Sequence, residues 1–469
     1  MLSKLEEGVD TTLRQSGLSM RSGASAGSWL AYLLPIAIIQ GAFVHPSEEY
    51  NEAAVFSSGL LGASVALVLH LQGCHGPTLS RFNLIFLVPS IVTALLFVFI
   101  SGKGFLNSLL AGLFASLPVS VGVPIALQNI PGTFSFGEIA VVIQGVLLFI
   151  FTSIANISSR INHDHFDSME KCTLILQTAL LGLSVICILV TAFPGLRQLR
   201  PILALIVGIM GGVVLPALFI IFRENPLLWI LHFITDDIQR VYLMVYWVIC
   251  CFFAVSSVRV QVQNKQHASS AVRKIFHVLI LAVYLPGLAW ECTLLYLSSG
   301  VALAFLILAE MVRLLKLGPL GSYLQEGFVV FADEKDSGGI SLTPIYLLIG
   351  CSLPMWIHPS RCALRAAVML PVLSGLVSVG CGDTAASVIG SLFGKNKWPG
   401  SHKSVEGSLA CVTSQIALVI ILSYSGMFQL TWFLALRLAV AAFAVTIVEA
   451  KTDQVDNLAL PLVLYILLV

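Results

Sequence analysis

Charge is what this chain has least of. Only 10% of its 469 residues are Asp, Glu, Lys or Arg, whereas 57% are hydrophobic; ordinary soluble domains carry about 25% charged residues. That shortage excludes a conventional soluble domain, which needs a charged outer face. The net charge of +1 gives no electrostatic basis for binding nucleic acid or an acidic partner. Cysteine patterning is also missing. The ten Cys show no CxxC spacing, and most sit in apolar runs, among them Cys187, Cys250 and Cys251. They read as small buried hydrophobes, without a pairing pattern or a metal-ligand framework. The first 27 residues, with Lys4, Arg14 and Arg21, lack the short apolar core and cleavage site of a signal peptide, so the first span is expected to be retained.

What the chain does have is apolar runs of span length. Some fifteen follow one another, from about 28–44 to about 457–469. The expected fold is an all-α integral membrane protein, a polytopic bundle of roughly 13–15 transmembrane helices. Two regions differ in loop character. Residues 1–258 form a multi-span region with short, bland loops and no assigned role. Its main polar exception, "RINHDHFDSMEK" (160–171), places two His near two Asp, a possible metal site that reads more readily as a solvated loop. Residues 259–469 carry long, charged loops. Alternate loops there (259–274, 310–339, 381–407 and 449–456) hold eleven Lys and Arg, against two in the intervening loops, Arg361 and Arg365. The positive-inside rule puts the richer set in the cytosol, so every chemically interesting loop of this region is expected on one face of the membrane.

The richest of these loops is "GCGDTAASVIGSLFGKNKWPGSHKSVEGS" (380–408). If 383–394 is helical, Asp383, Ser387 and Ser391 share a face, beside a stripe of Ala386, Gly390 and Gly394. Gly390 and Gly394 form a GxxxG pair, which packs helices. With Lys395, Lys397, Gly400 and Lys403 they also suit a phosphate cradle, where Gly lets backbone N–H groups come close and Lys supplies charge. Asp383 could hold a divalent ion bridging phosphates. "WPG" (398–400) reads as a turn that folds the basic tail back. The stretch is not a Walker A loop, because the GxxxxGK[ST] spacing is missing. In "VEAKTDQVDN" (448–457), helical phase puts Glu449, Asp453 and Asp456 on one face. That is either a solvated helix end or a metal or base site. "FADEKDSGG" (331–339) adds Asp333, Glu334 and Asp336, which a solvated turn would also show. Arg273 and His277 stand at one span entrance, and Glu310 and Arg313 at a span exit. There ionisable residues are either snorkelling anchors or functional.

Together "RKIFH" (273–277), "FADEKDSGGISLTPIYLLIGCSLPMW" (331–356), "GDTAASVIGSLFGKNKWPGSHKSVEG" (382–407) and "VEAKTDQVDNLALPL" (448–462) resemble the dolichol kinase family over about 270–469. The resemblance implies a multi-pass kinase of the endoplasmic reticulum membrane, its active-site loops in the cytosol. Such an enzyme transfers the terminal phosphate of CTP to dolichol with a divalent cation, expected to be Mg²⁺, and makes dolichyl phosphate for protein glycosylation. It implies a CTP region covering Gly382, Asp383, Thr384, Ser387, Gly390, Gly394, Lys395, Lys397, Trp398, Pro399, Gly400, Lys403 and Glu406. Asp383, Asp453 and Asp456 are then the expected metal ligands. One of these carboxylates, or His277, is expected to orient the dolichol hydroxyl as the catalytic group. Expected partners are the polyprenol lipid, CTP and the membrane, with no nucleic acid; nothing indicates an oligomeric state. Alternatives are a phytol- or farnesol-type prenol kinase, a phosphatidate cytidylyltransferase-like CTP enzyme, and a multi-span transporter. Transport sites usually lie on broken helices near the bilayer midplane, whereas the ionisable residues here gather at span ends.

Overall fold

The computed structural model describes residues 2–73, 84–161, 165–264, 268–332, 338–359, 362 and 366–469. Among the described residues the regular elements are all helical, and the one extended pairing is an isolated bridge between Lys397 and Ser404. The expectation of an all-α polytopic membrane protein is met. Among the described residues, eleven helices are long and apolar enough to cross a membrane, and five shorter apolar helices accompany them. Three of the short ones, Ile275–Trp290, Thr343–Ile357 and Asp456–Leu468, carry an internal proline, Pro286, Pro354 and Pro461 respectively. A proline removes a backbone donor and crowds the preceding turn. A helix of about 15 residues reaches only about 22 Å, short of the roughly 30 Å hydrocarbon layer.

The chain divides into two compact units that interleave in sequence. One comprises Met1–Phe151, Asp333–Gly339 and Leu353–Val469, the other Thr152–Ala332 and Ile340–Ser352. In the first unit, close helix approach depends on small residues, as expected where lipid removes the hydrophobic drive between helices. A Cβ on Gly112 would stand 2.3 Å from the Ser90 carbonyl oxygen, so Phe105–Asn129 lies directly on Leu87–Ser101. Phe56 stacks on Phe151, with ring centroids 4.2 Å apart. This unit also contains α1 (Phe136–Arg160) up to Phe151, α2 (Thr384–Phe393), α3 (Val405–Tyr424), α4 (Trp432–Lys451) and α5 (Asp456–Leu468). A π-helical stretch, Leu376–Asp383, leads into α2. Such widened turns are rare and recur at functional sites.

In the second unit, Gly300 lets Cys292–Leu314 approach Leu176 of Ser168–Ala192, where a Cβ would come within 2.6 Å. Arg313 donates to both Glu310 oxygens, at 2.8 and 2.6 Å, and Glu310 also accepts the Ser341 backbone N–H at 2.7 Å. These two residues are therefore a structural clasp. Of "RINHDHFDSMEK", residues 162–164 lie outside the described residues. Asp167 and Glu170 form a capping box at the start of Ser168–Ala192, with Glu170 N donating to Asp167 at 2.7 Å. Asp333, Glu334 and Asp336 also lie outside the described residues. The cysteine reading needs one correction, because Cys292 and Cys362 are disulfide-bonded. Neither sits in the middle of an apolar helix: Cys292 opens one, and Cys362 lies in a loop at φ 62°.

Candidate active site

The segment after α2 folds into a tight hairpin. Trp398 N donates to the Lys403 carbonyl at 3.0 Å and Val405 N to the Asn396 carbonyl at 2.9 Å, on either side of the Lys397–Ser404 bridge. Its tip is the expected turn. Ser401 N returns to the Trp398 carbonyl at 3.1 Å, and Gly400 sits at φ +73°, which glycine adopts without the Cβ clash. Lys395, Lys397, Pro399 and Gly400 are exposed. Ser404 caps α3 through Gly407 N at 3.1 Å, the Trp398 indole N–H donates to Ser408 Oγ at 2.9 Å, and Glu406 accepts the Asn396 side-chain amide at 2.8 Å.

Gly390 and Gly394 are closely packed. A Cβ on Gly394 would meet Ser404 Oγ at 2.6 Å, and one on Gly390 would meet it at 3.0 Å. Gly407 faces them, its own Cβ position 2.8 Å from the Ala386 carbonyl. The GxxxG pair packs α2 on the start of α3. Gly382 is also a packing glycine, against Gln415, where a Cβ would come within 2.8 Å. Gly394→Ala is therefore expected to destabilise the folded protein by about 1–3 kcal/mol, the cost of overpacking. Thermal unfolding of the detergent-solubilised chain checks it, and an unchanged midpoint would contradict the packing role.

The hairpin's important product is the place of Lys403. Its Nζ donates to the Glu449 carbonyl at 2.6 Å, lies 2.7 Å from Glu449 Oε1 and 3.5 Å from Asp456 Oδ2. Burial disfavours the ammonium, but the charges of Asp456, Glu449 and Asp383 outweigh it and raise the pKa of Lys403 above the ordinary lysine value. Asp383, 5% exposed, closes the π-helical stretch before α2. Glu449 is 4% exposed near the end of α4, and Asp456 opens α5. The hairpin, the π-helical stretch and both ends of the α4–α5 turn thus converge on one cation among three carboxylates. Thr384, at the start of α2, donates its hydroxyl to the Val379 carbonyl at 3.4 Å, and Ser387 follows on the same helix, partly exposed.

Asp453 is not drawn into this cluster, and His277 belongs to the other unit. The single helical face for Glu449, Asp453 and Asp456 is overturned. The α4 helix stops at Lys451, Thr452 is extended (φ −80°, ψ 142°), and the phase is lost before Asp456. Asp453 turns to the N-terminal segment, accepting from Ser25 N at 2.8 Å, Ser25 Oγ at 2.9 Å and Gln454 Nε2 at 2.8 Å. His277 belongs to the second unit, buried, with Lys274 Nζ 3.5 Å from its Nε2.

Sequence reasoning missed Arg21 and Glu138. Both are buried and pair at 2.7 Å. Glu138 also accepts the backbone N–H of Val455 at 3.0 Å, one residue before Asp456. The available signal was "SFGE" (135–138), a capping-box spacing at the start of an apolar run. Ser135 N donates to Glu138 at 2.9 Å and Glu138 N to Ser135 Oγ at 3.1 Å.

Among the described residues, no group of three His, Cys, Asp or Glu side chains is arranged to hold a metal ion. The donor chemistry that is present, hard carboxylate oxygens, suits Mg²⁺, which is commonly held by one or two carboxylates plus substrate phosphates.

Comparison with known proteins bears on this geometry. The family profile described as "Dolichol kinase" matches residues 117–429, a stretch that contains Glu138, Asp383 and Lys403. The dolichol kinases of Bos taurus and Homo sapiens are each 35% identical, over 361 and 359 residues, 73% of this chain and 66% of theirs. Dolichol kinase EVAN of Arabidopsis thaliana is 28% identical over 419 residues, 87% of this chain and 67% of its own length. The match thus spans 66% of the mammalian relatives' length. No solved structure matches the chain. A family match over most of the chain, together with this extent of identity, places the chain in the dolichol kinase family.

Proposed function

We propose that this chain is a CTP-dependent polyprenol kinase that makes dolichyl phosphate. The observation that carries the reading is Lys403, held by a hairpin at the junction of Asp383, Glu449 and Asp456. Phosphoryl transfer asks a protein mainly for charge neutralisation and alignment. The Lys403 ammonium, already positioned, takes up the terminal phosphates of CTP, and exposed Lys395 and Lys397 stand on the same hairpin to attract them. Asp456 or Asp383 accepts the proton of the dolichol hydroxyl. The alkoxide oxygen bonds to the terminal phosphorus, the bond to the β-phosphate oxygen breaks, and CDP leaves. A divalent cation supplies charge neutralisation when bound; Asp383 and Asp456 are the residues to hold it, with the remaining ligands from the nucleotide. The polyprenol tail stays among the spans, so that only its hydroxyl meets the site.

We place the protein in the endoplasmic reticulum membrane, with this site in the cytosol. Loop charge supports that orientation. So do Cys292, the first residue of its helix, and Cys362, in a charge-poor loop of the opposite set; both are disulfide-bonded, as an oxidising lumen would allow.

Purified membranes given γ-labelled CTP with polyprenol, phytol and phosphatidate in competition test the substrate. Label in polyprenyl phosphate is expected; label chiefly in phytyl phosphate, or a CDP-lipid, overturns the reading. A pH expectation follows from the raised pKa of Lys403. Its ammonium, and the stabilisation it draws from its carboxylates, is fully present below the unfolded value of 10.5 and is lost only as pH rises through the higher folded value. Between about pH 7 and 10 the rate should therefore show no alkaline limb from Lys403. A limb in that range, absent in Lys403→Arg, would contradict this.

A further inference from the structure

Within residues 1–151, Arg21, Ser25, Ser135 and Glu138 touch the turn that leads to Asp456. Glu138, 0% exposed, accepts from Arg21 Nη2 at 2.7 Å, Arg21 Nε at 3.4 Å, Ser135 N at 2.9 Å and Val455 N at 3.0 Å. The same Arg21 Nη2 donates to the Asp453 carbonyl at 2.9 Å. Between them, Gln454 is fully buried, bonded to Ser135 Oγ and donating to the Ser25 carbonyl at 3.1 Å. Three successive residues of the turn are therefore gripped by one arginine, one glutamate and the strap 21–27. The strap is closely seated: a Cβ on Gly27 would fall 2.4 Å from the Gln454 side chain, and one on Gly137 would fall 1.9 Å from the Gly27 carbonyl.

Burying an ion pair is costly and seldom adds net stability, whereas removing one partner strands a charge. A buried pair that also bonds two residues of one short turn specifies that turn's geometry. The turn ends at Asp456, whose carboxylate stands 3.5 Å from Lys403. We infer that Arg21 and Glu138 are positioning residues, which through the 452–455 turn set where Asp456 stands against Lys403. This rests on reading the Lys403 cluster as the phosphoryl-transfer site.

The test uses the purified full chain with γ-labelled CTP and a polyprenol, comparing wild type, Arg21→Lys, Glu138→Gln, Asp456→Asn and the Arg21→Lys/Asp456→Asn double variant. Arg21→Lys keeps the charge but loses the fork that reaches both Glu138 and the Asp453 carbonyl. A misplaced reacting group costs about 10–100-fold, so kcat should fall by that factor in folded Arg21→Lys and Glu138→Gln, with KM for the polyprenol unchanged. If Arg21 acts through Asp456, the double variant is no slower than Asp456→Asn alone. In ligand-free Arg21→Lys, amide exchange at 452–456 should also quicken. A merely structural role would lower the folded fraction and leave kcat per folded molecule unchanged. That result, or losses that multiply in the double variant, overturns the inference. If Glu138→Gln does not fold, Arg21→Lys decides alone. A wild type that makes no labelled polyprenyl phosphate overturns the activity and the positioning role together; an active wild type with an equally active Arg21→Lys overturns only the positioning.

Discussion

Lys403→Met is expected to lower phosphoryl transfer by about 10³-fold or more, while the chain still inserts and folds. A preorganised charge aimed at a developing anion is commonly worth 10²–10³ in rate by itself, and charge stabilisation dominates phosphoryl transfer. In this chain the same ammonium also holds the site together, bonding the Glu449 carbonyl at 2.6 Å and facing Glu449 and Asp456 carboxylates. Its removal takes that positive charge away from both carboxylates. Because the Lys403 side chain is 30% exposed, the stability cost should lie near the low end for a broken buried pair, about 3 kcal/mol. Lys403→Arg keeps the charge but spreads it over a planar fork. It should restore most of the stability and only part of the rate. Rates per folded molecule, with unfolding midpoints measured in parallel, separate the two effects. Full activity in Lys403→Met would remove the residue from the reaction.

The second large effect is a contrast between two aspartates that the sequence treats alike. Asp383→Asn should lower transfer by about 10³-fold, since Asp383 is buried at the end of the π-helical stretch and its charge acts on Lys403. Asp453→Asn should cost no more than about 10-fold, because both Asp453 oxygens are engaged by Ser25 and Gln454 away from that cluster. The substituted amide keeps one acceptor for those donors. Steady-state rates for the two variants, normalised to folded protein, decide the matter. Equal losses would mean that Asp453 belongs to the reacting centre after all.

The fold was legible because span-length apolar runs are a property of composition, whereas the number of spans was less so. Pro286, Pro354 and Pro461 sit inside helices too short to count by length, and no apolar count reveals that. At the candidate site, Asp383, Lys403, Asp456 and the Trp398–Ser401 turn stood out from charge and turn chemistry alone. Helical phase misled where the helix ended: extending it past Lys451 enlisted Asp453 with Asp456, and one extended residue, Thr452, breaks that register. The GxxxG pair had two physical readings, and the packing against Ser404 could not be read from the sequence. The grip of Arg21 on the Asp453 carbonyl joins residues 432 positions apart. No local periodicity encodes such a contact, and so residues 1–258 had no assigned task in the sequence reading.

The most direct measurement uses CTP labelled at the α- or the γ-phosphate in parallel, with purified wild-type protein, polyprenol and Mg²⁺. The γ-label should appear in polyprenyl phosphate while the α-label stays in released CDP, and Lys403→Met should lose the γ-transfer. An α-label in lipid, or γ-transfer undiminished in Lys403→Met, would contradict phosphoryl transfer at the Lys403 cluster.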